Sequence, residues 1–212
     1  MLKRLLLIVV ALCAVPALAR TPVAPAPAAP PAAAGTVRVK VDTSEGSFVL
    51  ELEKTRAPIT TANFLRYVDE KRLDGTVFYR TVRVTPTFGF VQFGVQNAPK
   101  RVLPPIAHEP TTQTGVRHVD GAISIARLAP GTAQGDFTIS VGDQPSLDAD
   151  PSKPGDNLGY AAFGRVVEGM DVVHRILNAP VSEGGHFKGE MIAQPIRILS
   201  ARQMAAAPSP QP

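Results

Sequence analysis

Arg80 carries a side chain whose chemistry could serve as a fixed donor. It lies in the run Val77-Phe78-Tyr79-Arg80-Thr81-Val82. A guanidinium stays charged, is planar and holds its N–H groups in a rigid fork. Strand alternation puts Phe78 and Arg80 on one face and Tyr79 on the other. Two readings fit such a group: a donor aimed at a ligand, or a solvated arginine on the outside of a sheet. The pattern by itself favours the second. Phe90 and Gln92 share a face of the next strand-like run, 88–94. Ser124, His108, His118, His174 and His186 offer nucleophilic or acid–base chemistry in principle. No serine sits in a nucleophile elbow, however, and the histidines lack zinc-type spacing. His108-Glu109 is a lone pair in a proline-rich loop. A hydrolase is therefore disfavoured.

The elements that would position these residues are mostly short strands. Val37-Arg38-Val39-Lys40-Val41 alternates apolar and charged residues, as a half-buried strand does. Ser44-Glu45-Gly46 turns the chain into a second alternating run through Phe48, Leu50 and Leu52. Pro58 opens a helix at the position where proline is tolerated. Over 60–71, Ala62, Phe64, Leu65, Tyr67 and Val68 recur at helical spacing. Asp74-Gly75 leads into the Arg80 strand. Further strands are expected over 88–94, 122–126, 137–141, 161–167 and 196–201, with a second helix over 171–177. Strands outnumber helices and do not alternate with them, which argues against a parallel doubly wound sheet. The expected fold is mainly β: a closed eight-stranded antiparallel β-barrel capped by two α-helices, since closure removes exposed strand edges.

The ends of the chain differ in character from this body. Lys3 and Arg4, then an apolar stretch over 5–15, then Ala17-Leu18-Ala19, read as a secretory signal peptide cut after Ala19. The stretch is shorter than the ~20 residues that span a bilayer, which argues against a retained anchor. Cys13 is the single cysteine and falls inside this signal. Leu12 before it, where a lipoprotein signal wants a small residue, disfavours lipidation. Residues 20–35 are almost all Pro and Ala, a semi-stiff linker. The folded domain is expected over 36–204 and a disordered tail over 205–212. The formal net charge is +4, two of it from Lys3 and Arg4. With no basic run interleaved with aromatics, nucleic acid is not an expected partner. Export implies a periplasmic or secreted protein with no stable membrane insertion after cleavage; a monomer is expected.

Four segments in order resemble the cyclophilin family, across almost the whole domain. TSEGSFVLELEKTRAPITTANFLRYV, from Thr43, is similar to the family's first hairpin, Ala-Pro junction and first helix. GTVFYRTV, from Gly75, is similar to its Phe-His-Arg strand, with Tyr79 in place of the histidine. DGAISIAR, from Asp120, resembles its Gly-x-x-Ser-Met-Ala-Asn segment. GYAAFGRVVEGMDVVHRI, from Gly159, resembles the strand and helix that close its barrel.

The resemblance implies a peptidyl-prolyl cis-trans isomerase acting on Xaa-Pro bonds of exported polypeptides. Rotation about such a bond faces a resonance barrier of ~18–20 kcal/mol and takes tens to hundreds of seconds unaided. At the transition state the amide is twisted and the prolyl nitrogen regains its lone pair. Catalysis then asks for an apolar cup for the pyrrolidine ring and a donor aimed at that nitrogen, with no nucleophile, metal or cofactor. The resemblance gives Arg80 the catalytic role. Phe90, Gln92, Ala126, Arg127, Thr138, Leu147 and Tyr160 would bind substrate. A register shifted by one residue would put Phe93 where Gln92 is expected. Arg127 replaces the family's asparagine and reads equally as a solvated strand end.

Two departures bear on strength. The family's Gln-Phe-Phe reads here as Asp136-Phe137-Thr138, and Ser146 stands where an aromatic is usual before Leu147. Losing a buried aromatic forfeits ~1.5–3 kcal/mol, so a weak or selective isomerase is expected, with poor affinity for the family's cyclic peptide inhibitor. On this reading Thr138→Phe raises activity, and loops 97–114 and 149–157 are the places to look for compensating contacts. The alternative is a proline-segment-binding chaperone module with little turnover.

Overall fold

The computed structural model describes residues 33–205. The expected signal, 1–19, most of the linker and nearly all of the tail lie outside the described residues. Strands β1 (Val37–Thr43) and β2 (Gly46–Leu52) form the first hairpin. Helix α1 (Pro58–Asp69) leads to β3 (Val77–Thr85) and β4 (Phe88–Gly94). A one-turn helix α2 (Thr111–Thr114) precedes β5 (Ala122–Ile125) and β6 (Asp136–Val141). A 3-10 turn (Pro145–Leu147), β7 (Ala161–Glu168), α3 (Met170–Leu177), β8 (Val181–Ser182) and β9 (Met191–Gln203) complete the chain.

Eight strands close in the order β1-β2-β7-β5-β6-β4-β3-β9, with β9 pairing back to β1. The pairings are antiparallel, and β8 adds a ninth strand beside the start of β9. The closed eight-stranded barrel is thus the fold. A third helix appears because Thr111–Thr114 is a single turn without apolar periodicity, ended by Gly115 at φ 69°. Inside, alternate residues of each strand meet. Phe78 and Phe93 lie 4.7 Å apart by ring centroids, Phe93 and Phe137 5.7 Å, and Phe137 and Phe64 of α1 4.8 Å. Val172, Val173, Ile176 and Leu177 bury one face of α3 in the same core.

Two irregularities aim the outer wall. In β3, Phe78 lies opposite Phe93 of β4, yet Arg80 lies opposite Gln92. Two steps along β3 thus answer one along β4. This β-bulge at Tyr79 cancels one step of the period of two. Phe78 is fully buried, whereas Arg80 emerges beside Gln92 on the outer wall. The expectation that Phe78 and Arg80 share a face is corrected accordingly. The expected strand 196–201 extends back to Met191, past Pro195. Against β3 its pairing jumps from Ile196 to Met191, which lies opposite Arg80. Proline, which has no N–H for a ladder, is tolerated at such an irregularity.

Helix α1 has no side-chain cap of its own at Ala57. Glu109, 1% exposed, supplies one from far along the chain. Its carboxylate accepts the Ile59 N–H at 3.1 Å, the Thr60 N–H at 2.7 Å and the Thr60 hydroxyl at 2.6 Å. An anion at a helix N-terminus satisfies orphan donors and complements the helix dipole.

Candidate active site

The outer faces of β3, β4 and β6, with the loops beside them, enclose a cavity of about 550 Å³. All eight residues expected at the site line it: Arg80, Phe90, Gln92, Ala126, Arg127, Thr138, Leu147 and Tyr160. Sheet pairing accounts for the polar row along one wall. Arg80 lies opposite Gln92, Gln92 opposite Thr138, and Thr138 opposite Ser124. Residues directly opposite on one face are close neighbours, and the Thr138 and Ser124 hydroxyls bond at 2.8 Å. Phe93 is fully buried, so the shifted register does not occur: Gln92 faces the cavity and Phe93 the core. Ser146 is exposed on the 3-10 turn that presents Leu147.

The Arg80 guanidinium is held on three sides. Its Nε donates to Glu190 Oε2 at 2.7 Å, its Nη2 lies 2.6 Å from the same oxygen as an ion pair, and its Nη1 donates to Gln92 Oε1 at 3.1 Å. Its carbon lies 3.8 Å from the Phe187 ring centroid and 5.5 Å from that of Phe90. An arginine has five N–H donors, so three remain beyond these two hydrogen bonds. Charge-assisted bonds and ring stacking fix the plane of the group, which a long flexible side chain would not hold alone.

Of the two readings of Arg127, the solvated strand end is the one the structure excludes: the residue lines the cavity. Its side chain is only 6% exposed, so it is not a solvated strand end. Its Nη1 and Nη2 grip the two oxygens of Asp156 at 2.8 Å each, and Nε and Nη2 donate to the Gly159 carbonyl at 2.9 and 2.6 Å. The Arg127 fork holds the Asp156 carboxyl down at about 2. The guanidinium is therefore committed to the loop and lies 5.6 Å from the Tyr160 ring centroid. Gly159 (φ 59°) lets that loop approach the 3-10 turn: a Cβ there would lie 2.5 Å from the Leu147 carbonyl oxygen. The Tyr160 N–H donates to the same carbonyl at 2.9 Å, so Leu147 and Tyr160, both in the cavity lining, are set against each other.

Tyr79 and Asp136, both departures from the family pattern, meet in space. The Tyr79 hydroxyl donates to Asp136 Oδ1 at 3.2 Å, and the Gln96 N–H donates to the same oxygen at 3.0 Å. Burial raises the Asp136 carboxyl above its usual range and lifts the Tyr79 phenol too, the latter further raised by the neighbouring carboxylate.

Phe187, His186 and Glu190 were not expected at the site. Phe187 and His186 line the cavity, and Glu190 bonds Arg80. They belong to the loop between β8 and β9, more than 100 residues from Arg80 in sequence. Their run, Glu183-Gly184-Gly185-His186-Phe187-Lys188-Gly189-Glu190, carries no periodic signal. Its two aromatic rings amid glycines were the one available hint.

A closed barrel with a cavity and a braced guanidinium on its outer wall defines a cyclophilin-like protein. The chain belongs to the family described as Cyclophilin type peptidyl-prolyl cis-trans isomerase/CLD, which matches residues 37–203, and it is an isomerase of that type. A peptidyl-prolyl cis-trans isomerase of Streptomyces antibioticus is 38% identical over 168 residues, covering 77% of this chain and 96% of the relative. One of Acinetobacter baylyi is 33% identical over 167 residues, covering 77% and 84%. Among solved structures, a Cryptosporidium parvum cyclophilin type peptidyl-prolyl cis-trans isomerase superposes with a TM-score of 0.66 at 19% identity, covering 81% of this chain and 99% of that one. The same protein in the presence of the dipeptide Ala-Pro gives a TM-score of 0.64 at 20% identity.

Proposed function

We propose that this isomerase turns Xaa-Pro bonds of exported polypeptides by stabilising the twisted amide with Arg80. The observation that carries the reading is the guanidinium braced by Glu190 and Gln92 at the wall of the cavity. Phe90, Leu147 and Tyr160 offer apolar surface for a pyrrolidine ring. As the C–N bond rotates, resonance is lost and the prolyl nitrogen becomes a hydrogen-bond acceptor. An N–H of Arg80 aimed at that nitrogen interacts with the twisted form and not with the planar ones, which is what accelerates the step. Gln92 lies beside Arg80, where a polar side chain can bond the substrate backbone. The main chain at Ala126, in the cavity lining, would meet the residues before proline. A proline dipeptide accompanies the structural neighbour from Cryptosporidium parvum, which supports a proline-containing polypeptide as the partner here.

Exchange spectroscopy on a proline peptide tests the role of Arg80. Arg80→Ala is expected to lower the catalysed rate by ~10²–10³-fold, as loss of a preorganised donor does. Equal rates for wild type and variant would leave a proline-binding chaperone as the surviving reading. We further infer from residues 1–19 that the protein is exported to the periplasm or beyond, and propose that it works there as a monomer. Mass measurement of the protein recovered outside the cytoplasm should give a chain starting at Arg20 that sediments as one copy. An intact Met1 start would overturn the export reading.

A further inference from the structure

We propose that Phe187, on the loop between β8 and β9, is the aromatic wall of the proline cup that position 138 does not supply. The proposal rests on the reading of the cavity as a prolyl site. Position 138 carries a threonine whose hydroxyl is tied to Ser124 at 2.8 Å, so that part of the cavity offers little apolar surface. Phe187 lines the same cavity. The residue is 40% exposed and takes no part in the buried core, so core packing does not explain a phenylalanine there. One side of the ring lies 3.8 Å from the Arg80 guanidinium carbon. A ring stacked on the donor that must face the prolyl nitrogen lies where the pyrrolidine would settle.

The loop is anchored firmly enough to hold a wall. The Glu190 N–H donates to the Phe187 carbonyl at 3.0 Å, closing a tight turn, and the Gly189 N–H reaches the Ser182 carbonyl at 3.0 Å. The Thr81 N–H donates to the Glu190 carbonyl at 2.8 Å, and Glu190 bonds Arg80 itself. His186 lies edge-on to Phe187 at 5.7 Å between centroids. The compensating aromatic surface proposed here comes from residues 183–190; of the loops named from the sequence, 97–114 brings Asn97 to the cavity lining. Phe187 is here a substrate-contacting residue that sets the affinity for proline, not a source of the chemistry.

The chain has no tryptophan, so Phe187→Trp places a single indole in the wall. Titration with a short peptide containing Ala-Pro is expected to shift its emission saturably, while the same peptide with alanine for proline does not. In exchange assays Phe187→Ala is expected to lower kcat/KM by ~10–100-fold, chiefly through KM, the range for losing one buried aromatic. Thr138→Phe should recover most of that loss in the Phe187→Ala background and add little to wild type. An unresponsive indole while peptide binding is seen by NMR would overturn the proposal. So would a Phe187→Ala rate equal to or above wild type, the latter marking the ring as a plug. If wild type catalyses, Arg80→Ala does not, and Phe187→Ala is unaffected, this inference fails alone. If Arg80→Ala equals wild type, the mechanistic reading fails first.

Discussion

At the scale of single residues, the site turns on how a guanidinium is kept still. Arg80 has four side-chain torsions to restrain, and immobilising such a chain costs ~1.5–2 kcal/mol. Glu190, Gln92 and the Phe187 ring restrain it before substrate arrives. Glu190 does not line the cavity and so acts through Arg80, as a positioning residue. Glu190→Gln keeps the shape but weakens the charge-assisted bonds, so kcat should fall about 10-fold with KM nearly unchanged, read by saturation kinetics of the exchange. A change in KM alone would assign Glu190 to binding instead. Tyr79 and Asp136 illustrate coupled departures. A tyrosine in place of histidine and a carboxyl in place of an amide look independent in sequence, yet they share one hydrogen bond.

At the scale of elements, irregular features do the aiming. The bulge at Tyr79 turns Arg80 out of the barrel, and the jump in the β3–β9 register brings residues 183–190 back over it. Arg127, clamped on Asp156 and Gly159, holds the segment that carries Tyr160. Helix α1 depends on a cap lent by Glu109 from the loop before α2. Glu109→Ala removes three accepted bonds and leaves buried donors unpaired, so it should destabilise the fold by ~2–4 kcal/mol, measured as a lower urea midpoint at unchanged slope. Glu109→Gln should lose less, since an amide oxygen still accepts. The strands and the two longer helices were legible from period-2 and period-3.6 patterns and from Pro58. The single turn α2, the two-residue β8 and the start of β9 were not, because none is long enough to show a period.

At the scale of the molecule, one buried titratable group links stability to pH. The His118 side chain is 0% exposed; its Nδ1 lies 2.8 Å from Asp148 Oδ1, and its Nε2 has no partner among the described residues. Asp148 also accepts the His118 N–H and the Arg117 guanidinium. Burial lowers the His118 pKa, and that outweighs the raising effect of Asp148. The unfolded chain binds the proton near pH 6.5, whereas the folded one resists it. Stability from this site is therefore present above about pH 6.5 and lost as pH falls below it. Thermal midpoints should drop between pH 7 and pH 5, and His118→Gln should flatten that slope. An unchanged slope in the variant would place the dependence elsewhere.

The sequence by itself determined the barrel class, the two main helices and eight of the residues that line the cavity. It could do so because alternation, helical spacing and the four family segments are local. The facing of Arg80, the commitment of Arg127 and the arrival of Glu190 and Phe187 were decided only by the tertiary structure. Each follows from pairing between residues far apart in the chain: one extra residue in a strand reverses a face, and a register jump moves a loop onto the site. Such non-local geometry leaves no periodic mark on the residues that depend on it.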